Sequence, residues 1–267
     1  MRTQLTVLIP AKNERRNIRL CIESARPIAD EILVADSGST DGTMEIARQL
    51  GCRIVERELV NFSDFKNWAI PQAAHPWVLI LDADERITPE LAAEIRGVLA
   101  DPPANRDGFW IGRHNYFLGH RIRHCGWNTD DVFRLIRRDV CRYTQRRVHE
   151  SIAVEPGRAG RLKAKMEHYT IWNYDQCLAK LAHYSRLQAQ DQHQWGRRPR
   201  VLSMLFRAPL RFFQLYLLRL GFLDGMAGIQ VCMLTAFISY FKQARLWEID
   251  HAIAQPDPEA ERVRNAA

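Results

Sequence analysis

The sequence predicts an α/β protein, in which helices cover both faces of a mostly parallel sheet and a helical extension follows. Over the first hundred residues, short apolar runs alternate with segments of helical periodicity. That alternation is typical of parallel sheets. From residue 175 onward the periodicity is helical. The two patterns together define the predicted fold class.

The first hundred residues divide into four strand–helix pairs. Strands are predicted at 5–9, 31–36, 52–57 and 77–81, and helices at 17–25, 43–50, 62–70 and 89–99. Ligands of such sheets bind beyond the carboxyl ends of the strands. Pro10, Asp36 and Asp82 stand at such ends, so we expect a binding site there.

Beyond residue 108 the runs become shorter and contain glycine turns, which predicts further strands, some of them antiparallel. We therefore expect a sheet domain over residues 1–172, a helical region over 173–250 and a polar tail over 251–267.

Composition narrows the class of protein. The 46% hydrophobic and 26% charged fractions are those of a globular chain, and a net charge of +7 favours anionic partners. Six scattered cysteines without metal-binding spacing indicate free thiols in a reducing compartment. The N-terminus becomes charged too early for a signal peptide, so we expect a cytoplasmic protein.

The segment "LILDADERI" crowds Asp82, Asp84 and Glu85 behind an apolar run. Helix capping is a weak explanation, because Thr88 and Pro89 already form the start signal of the next helix. A divalent cation such as Mg²⁺ or Mn²⁺, bound together with substrate phosphates, would offset the repulsion between these acids.

Two further loops follow predicted strands. "VADSGSTDGT" (34–43) leads from a strand end into a helix N-terminus, which can face a phosphate. "IPAKNE" (9–14) is the second such loop. Each loop taken alone could equally be a tight turn with a helix cap.

Along the chain the three segments follow one another as "IPAKNE", "VADSGSTDGT" and "LILDADERI". Segments of this kind in this order resemble the inverting family 2 glycosyltransferases of the GT-A fold. The resemblance covers residues 4–172. It implies that Pro10, Ala11 and Glu14 lie near the base and ribose of a UDP-sugar and that Asp36 lies at the uracil ring. Asp82 and Ala83 are also expected at the nucleotide, with Asp82 near the ribose or a metal-bound water. The resemblance also places Lys66 near the nucleotide, although Lys66 could be an ordinary exposed helix residue.

The same resemblance implies a divalent metal, Mn²⁺ or Mg²⁺. Asp84 is then the principal ligand and Asp82 the supporting one. His168, in "MEHYT", falls where relatives place a histidine ligand. A purely structural role for His168 stays open.

An inverting displacement needs a base for the acceptor hydroxyl. "RRVHESIAV" resembles the V-H-E segment of enzymes that build lipopolysaccharide cores, which implies Glu150 as the base. Asp131 is the alternative, and it could also be a polar turn acid.

The resemblance implies transfer from a UDP-sugar to a surface-glycan acceptor such as the lipopolysaccharide core, with polyprenyl phosphate as the rival acceptor. Nucleotidyl transfer is disfavoured because no Gly-rich loop with an activating lysine follows the first strand. A non-enzymatic scaffold for membrane or nucleic acid would leave the three acid loops unused, so we expect no nucleic-acid partner.

The C-terminal region combines large apolar residues with Arg207, Arg211 and Arg219. The longest charge-free stretch, 225–241, falls short of the about 20 residues that a transmembrane helix needs. Interfacial helices on the anionic inner face of the cytoplasmic membrane fit better. Packing on the sheet domain or at a dimer seam is the alternative, and the oligomeric state stays open.

Overall fold

The structure is a computed structural model that describes residues 2–144 and 152–251. The chain separates into two compact units between Asn173 and Tyr174.

The strands of the first unit are β1 (Leu5–Ala11), β2 (Glu31–Asp36), β3 (Arg53–Glu56), β4 (Trp77–Ile80), β5 (Glu85–Arg86), β6 (Gly108–Phe117), β7 (His120–Arg121), β8 (Asp131–Arg137), β9 (Arg142–Tyr143), β10 (Ile152–Ala153) and β11 (Ala159–Ile171). Its helices are α1 (Ile18–Ala25), α2 (Thr43–Gln49), α3 (Phe62–Ala69) and α4 (Pro89–Ala100). The eight elements expected up to residue 100 are present, whereas β5 and β7 were not predicted.

Within the described residues, nine strands form one sheet in the order β3-β2-β1-β4-β8-β6-β11-β5, with β7 paired to β6. The neighbours β3, β2, β1 and β4 run parallel. β8 is antiparallel to both β4 and β6. The carboxyl ends of β1, β2 and β4 therefore meet at one edge of the sheet. Beside β4, at its neighbour β8, the strand pairing changes from parallel to antiparallel.

Both sheet faces are covered by apolar side chains. Leu5 and Ile9 of β1 belong to one core cluster together with Ile22 of α1 and Leu91 of α4. Leu8 of the same strand belongs to the opposite cluster, which includes Phe65 of α3. This alternation follows from the two-residue period of a strand. The mixed α/β, GT-A-like fold class is confirmed.

The predicted start of α4 is confirmed. Thr88 Oγ1 accepts a hydrogen bond from the backbone N of Leu91 at 3.2 Å, and Pro89 occupies the first turn. Capping of this helix therefore requires none of the upstream acids.

The second unit contains α5 (Tyr174–Gln194), α6 (Val201–Phe213) and α7 (Gly225–Asp250). Among the described residues, two helical segments are long and apolar enough to cross a membrane. They are Val201–Leu218 and Gly221–Asp250. The short charge-free stretch therefore does not exclude a spanning helix, and the interfacial placement of this region stays a prediction. Gly228 lies within α7, where its missing side chain lets the backbone O of Gly221 approach closely. On their own, length and composition are weak evidence for a membrane span.

Candidate functional site

The loops after β1 and β2 are joined by hydrogen bonds. Ala11 and Asp36 are partners in the parallel register, with Pro10 one residue before. The buried Asp36 carboxylate accepts hydrogen bonds from the backbone N of Ser39 at 3.0 Å and from Ser39 Oγ at 2.6 Å. Asn13 Oδ1 accepts from the backbone N of Thr40 at 2.9 Å. Three residues expected at the nucleotide, Pro10, Ala11 and Asp36, are thus adjacent.

Glu14 connects this loop to α1. Its Oε2 atom accepts a hydrogen bond from Asn17 Nδ2 at 2.8 Å, and its backbone N donates to Thr43 Oγ1 at 2.9 Å. The carboxylate therefore contacts the side chain of Asn17, the residue that precedes α1. Its role at the nucleotide stays a prediction.

The carboxylate of Asp82 lies between two cations. Its Oδ1 atom is 3.5 Å from Lys66 Nζ, and its Oδ2 atom forms an ion pair with Arg134. Lys66 Nζ also lies 5.3 Å from the centre of the Tyr143 ring. The Lys66 side chain is only 9% exposed, so the alternative of an ordinary exposed helix lysine is wrong.

These cations determine the charge state of Asp82. Burial raises the pKa of the Asp82 carboxyl, but the nearby charges of Arg134, Lys66 and Arg113 outweigh that effect and hold the pKa well below its usual range. Burial likewise lowers the pKa of Arg134, and the charges of Asp82 and Glu85 more than compensate, so it is raised. Asp82 and Arg134 are therefore a charged pair.

Glu85 is the fully buried acid of the segment. Its Oε1 atom accepts from Arg113 Nη1 at 3.1 Å and from Arg134 Nη2 at 3.2 Å, and its Oε2 atom accepts from the backbone N of Asp82 at 2.9 Å. Two guanidinium groups thus offset the cost of burying this carboxylate, which explains an acid that the motif alone left without a role.

Asp84 faces His168 instead of the cations. Asp84 Oδ2 lies 3.6 Å from His168 Nε2, and the two side chains are 18% and 14% exposed. The backbone holds the pair in place, because Tyr169 N donates to Asp84 O at 2.8 Å and His168 is the register partner of Glu85 between β11 and β5.

A carboxylate oxygen and an imidazole nitrogen 3.6 Å apart are a donor set that fits a divalent cation. Over residues 2–144 and 152–251, no three side chains of His, Cys, Asp or Glu gather into a metal-binding group. A cation held by Asp84 and His168 would therefore need further ligands from a substrate or from water.

Of the two candidate bases, the structure describes only Asp131. Asp131 forms an ion pair with Arg161, while the preceding Asp130 binds Arg113 with N–O distances of 2.8 and 2.9 Å. Consecutive side chains of an extended chain point to opposite faces, so Asp131 is separated from the charged network of Asp130. Glu150 lies outside the described residues.

Ala83 is buried between the two aspartates, and its backbone O accepts from Arg86 Nη1 at 2.8 Å. Its expected place at the nucleotide stays a prediction.

The sequence reasoning missed four residues that organise this site: Arg113, Asn115, Asp130 and Arg134. Arg134 stands in the middle of "VFRLI", and Arg113 in "WIGRHNYF". A charged residue within an apolar strand is rarely buried unless it is paired. A charged residue in an apolar strand therefore indicates a buried ion pair, but the pattern does not identify the partner residues.

The sequence profile described as "Glycosyl transferase family 2" matches residues 6–162, more than half of the chain. A lipopolysaccharide core biosynthesis glycosyltransferase of Rhizobium meliloti (strain 1021) is 30% identical over 90% of this chain and 93% of its own length. An uncharacterized glycosyltransferase of Rickettsia bellii (strain RML369-C) is 27% identical over 92% of this chain and 87% of its own.

Among solved structures, glucosyl-3-phosphoglycerate synthase from Mycobacterium tuberculosis, in complex with Mn²⁺, UDP and glucosyl-3-phosphoglycerate, is similar with a TM-score of 0.36. The similarity covers 43% of this chain and 44% of that chain at 24% identity. At that score the likeness carries no conclusion about this chain.

Proposed function

Because this chain belongs to glycosyl transferase family 2 and is therefore a glycosyltransferase, we propose that it transfers a sugar from a UDP-sugar to the lipopolysaccharide core, with inversion at the anomeric carbon. The donor half of the proposal rests on one observation, the facing pair of Asp84 and His168 at the sheet edge. The acceptor half rests on the similarity to the Rhizobium meliloti enzyme over nearly the whole of both chains. Family membership also removes the non-enzymatic scaffold as an explanation.

Asp84 and His168 would hold the divalent metal, with diphosphate oxygens completing its ligands. The mixed oxygen and nitrogen pair favours Mn²⁺ over Mg²⁺, which is bound mainly by oxygens. Such an ion neutralises the charge that develops on the leaving diphosphate.

Asp82 takes a different part in this proposal. Its two oxygens are already engaged with Lys66 and Arg134, so it would position these cations beside the diphosphate. The supporting metal role expected for Asp82 would require one of these contacts to open.

The nucleotide would lie over the joined loops after β1 and β2, against Pro10, Ala11 and Ala83. The N3–H group of uracil is a hydrogen-bond donor and would compete with Ser39 for the Asp36 carboxylate. Glu14 would reach the ribose only by releasing Asn17.

Glu150 remains our choice for the base that removes the proton of the acceptor hydroxyl. Asp131 is the second candidate, and its ion pair with Arg161 counts against it. That ion pair occupies an Asp131 oxygen that the acceptor hydroxyl would need.

The second unit would hold the enzyme on the cytoplasmic face of an anionic membrane, with catalysis assigned to residues 1–172. No residue of α6 is buried. Leu202, Leu205 and Leu210 are 70%, 60% and 66% exposed, and Arg207 and Arg211 lie on the same helix. An exposed apolar surface of this kind marks an interaction site, and arginines within it suit anionic headgroups.

A UDP-release assay tests the proposal. Purified enzyme with Mn²⁺ is presented with a panel of UDP-sugars, together with lipid A-core or polyprenyl phosphate as acceptor. Release that depends on lipid A-core supports the proposal. Release that depends only on polyprenyl phosphate replaces the acceptor, and no acceptor-dependent release with any donor contradicts the proposed activity.

A further inference from the structure

We propose that Asn115 is a positioning residue that presents the Nε2 lone pair of His168 to the metal site. The inference rests on the proposed metal role of His168 and adds a residue to which no role has been given. Asn115 lies in β6 as the register partner of His168 in β11, and it is 3% exposed.

The hydrogen bonds of Asn115 assign its amide orientation. Its Nδ2 atom donates to the backbone O of Trp127 at 3.1 Å and to Asp130 Oδ2 at 2.9 Å. Both partners are acceptors, so they require the amino group of Asn115 on that side. The carbonyl atom Oδ1 must then face His168.

This orientation assigns the tautomer of His168. Asn115 Oδ1 lies 2.6 Å from His168 Nδ1, and a carbonyl oxygen can only accept, so Nδ1 carries the proton. In the neutral ring the other nitrogen, Nε2, is then a lone pair, and it points towards Asp84 Oδ2 at 3.6 Å. Two acceptors facing each other leave room for a cation between them. A hydrogen bond to the other ring nitrogen is the usual way in which proteins orient a histidine ligand.

Asn115 is itself held by charge. Asp130 accepts its amino group and pairs through both oxygens with Arg113, and Arg113 binds the buried Glu85. A continuous chain of hydrogen bonds and ion pairs therefore connects Glu85 to His168.

The test uses full-length protein with Asn115→Leu, which keeps the size of the side chain but cannot accept a hydrogen bond from His168. Tyr116→Phe is the matched control, because it removes the hydrogen bond to Glu167 from the next residue of the same strand. Mn²⁺ binding is measured by the loss of the free-ion EPR signal, with saturating UDP. We expect the Kd for Mn²⁺ to rise about 10- to 100-fold in Asn115→Leu and to stay unchanged in Tyr116→Phe.

A second, metal-free measurement separates positioning from folding. Long-range ¹⁵N–¹H correlation spectra of the histidine rings distinguish the two tautomers, and His168→Gln identifies the His168 signals. We expect the Nδ1–H form of His168 in the wild type and its loss in Asn115→Leu.

The Nε2–H form in the wild type, or unchanged Mn²⁺ affinity in a folded Asn115→Leu protein, would overturn the role of Asn115. If neither the wild type nor any variant binds Mn²⁺, the metal part of the proposed function fails instead, and the ring spectra still decide between the two tautomers.

Discussion

Glu85 Oε1 lies 3.2 Å from Arg134 Nη2, and both side chains are buried. Arg113 binds the same carboxylate oxygen at 3.1 Å. Glu85, the third acid of the "DADE" segment, is therefore a shared counter-ion of Arg113 and Arg134. Its removal would take one carboxylate partner from each arginine.

We expect Glu85→Gln to lower the free energy of unfolding by about 1.5–3 kcal/mol, because it removes a charged hydrogen-bond acceptor from Arg113 and Arg134, which keep Asp130 and Asp82 as partners. Urea denaturation followed by circular dichroism measures the change. Asp139→Asn is the control, because it breaks the exposed pair of Arg138 and Asp139 and should leave stability unchanged. Equal effects of the two substitutions would contradict a structural role for Glu85.

We expect Asp84→Ala to abolish the Mn²⁺-dependent part of UDP binding, because it removes the only carboxylate that faces His168 Nε2 among the described residues. Isothermal titration calorimetry with and without Mn²⁺ measures this part. Asp101→Ala, an exposed acid after α4, is the control. Metal-dependent UDP affinity that survives in Asp84→Ala would refute the proposed metal site.

The two candidate bases can be separated by matched amide substitutions. We expect Glu150→Gln to keep donor affinity while lowering kcat about 10²- to 10⁴-fold, the usual contribution of general base catalysis. Asp131→Asn should keep most of the turnover. The opposite pattern in the UDP-release assay would assign the base to Asp131.

Stability should fall in acid partly through Asp82. Its pKa is lowered in the folded state, so its contribution is complete above the unfolded pKa of about 3.9 and is lost progressively as the pH falls below that value. We expect Asp82→Asn to be less stable than the wild type at pH 7, with a difference that narrows below about pH 4. Thermal denaturation from pH 7 to pH 3 measures it, and a constant difference would contradict the charged pair.

The C-terminal unit should bind anionic vesicles. We expect wild-type protein to float with vesicles containing phosphatidylglycerol and to be released by high salt, because its arginines interact with the headgroups. The double variant Arg207→Glu and Arg211→Glu should bind less, whereas Arg96→Glu, in α4, should bind like the wild type. Resistance to both salt and carbonate would indicate a spanning helix. Indifference to vesicles would favour packing or a dimer seam.

Much of the fold could be predicted from local patterns. The strand and helix periods of the first hundred residues, and the Thr88–Pro89 start of α4, depend on near neighbours in the chain. The short strands β5 and β7 could not be predicted, because two residues are too few to show a period. The burial of Arg134 in β8 and the partial burial of Arg113 in β6 also go against the local preference of charged side chains for water.

The amino-acid sequence by itself determined the family, the sheet edge at which the acids gather, and the candidates Asp36, Asp82, Asp84 and His168. Only the tertiary structure decided how the acids divide: Asp82 to Lys66 and Arg134, Glu85 to the buried arginines, and Asp84 to His168. The physical reason is that these partners come from strands and a helix far apart in the chain, and a carboxylate takes its charge state and its role from whichever groups the fold brings within a few ångströms.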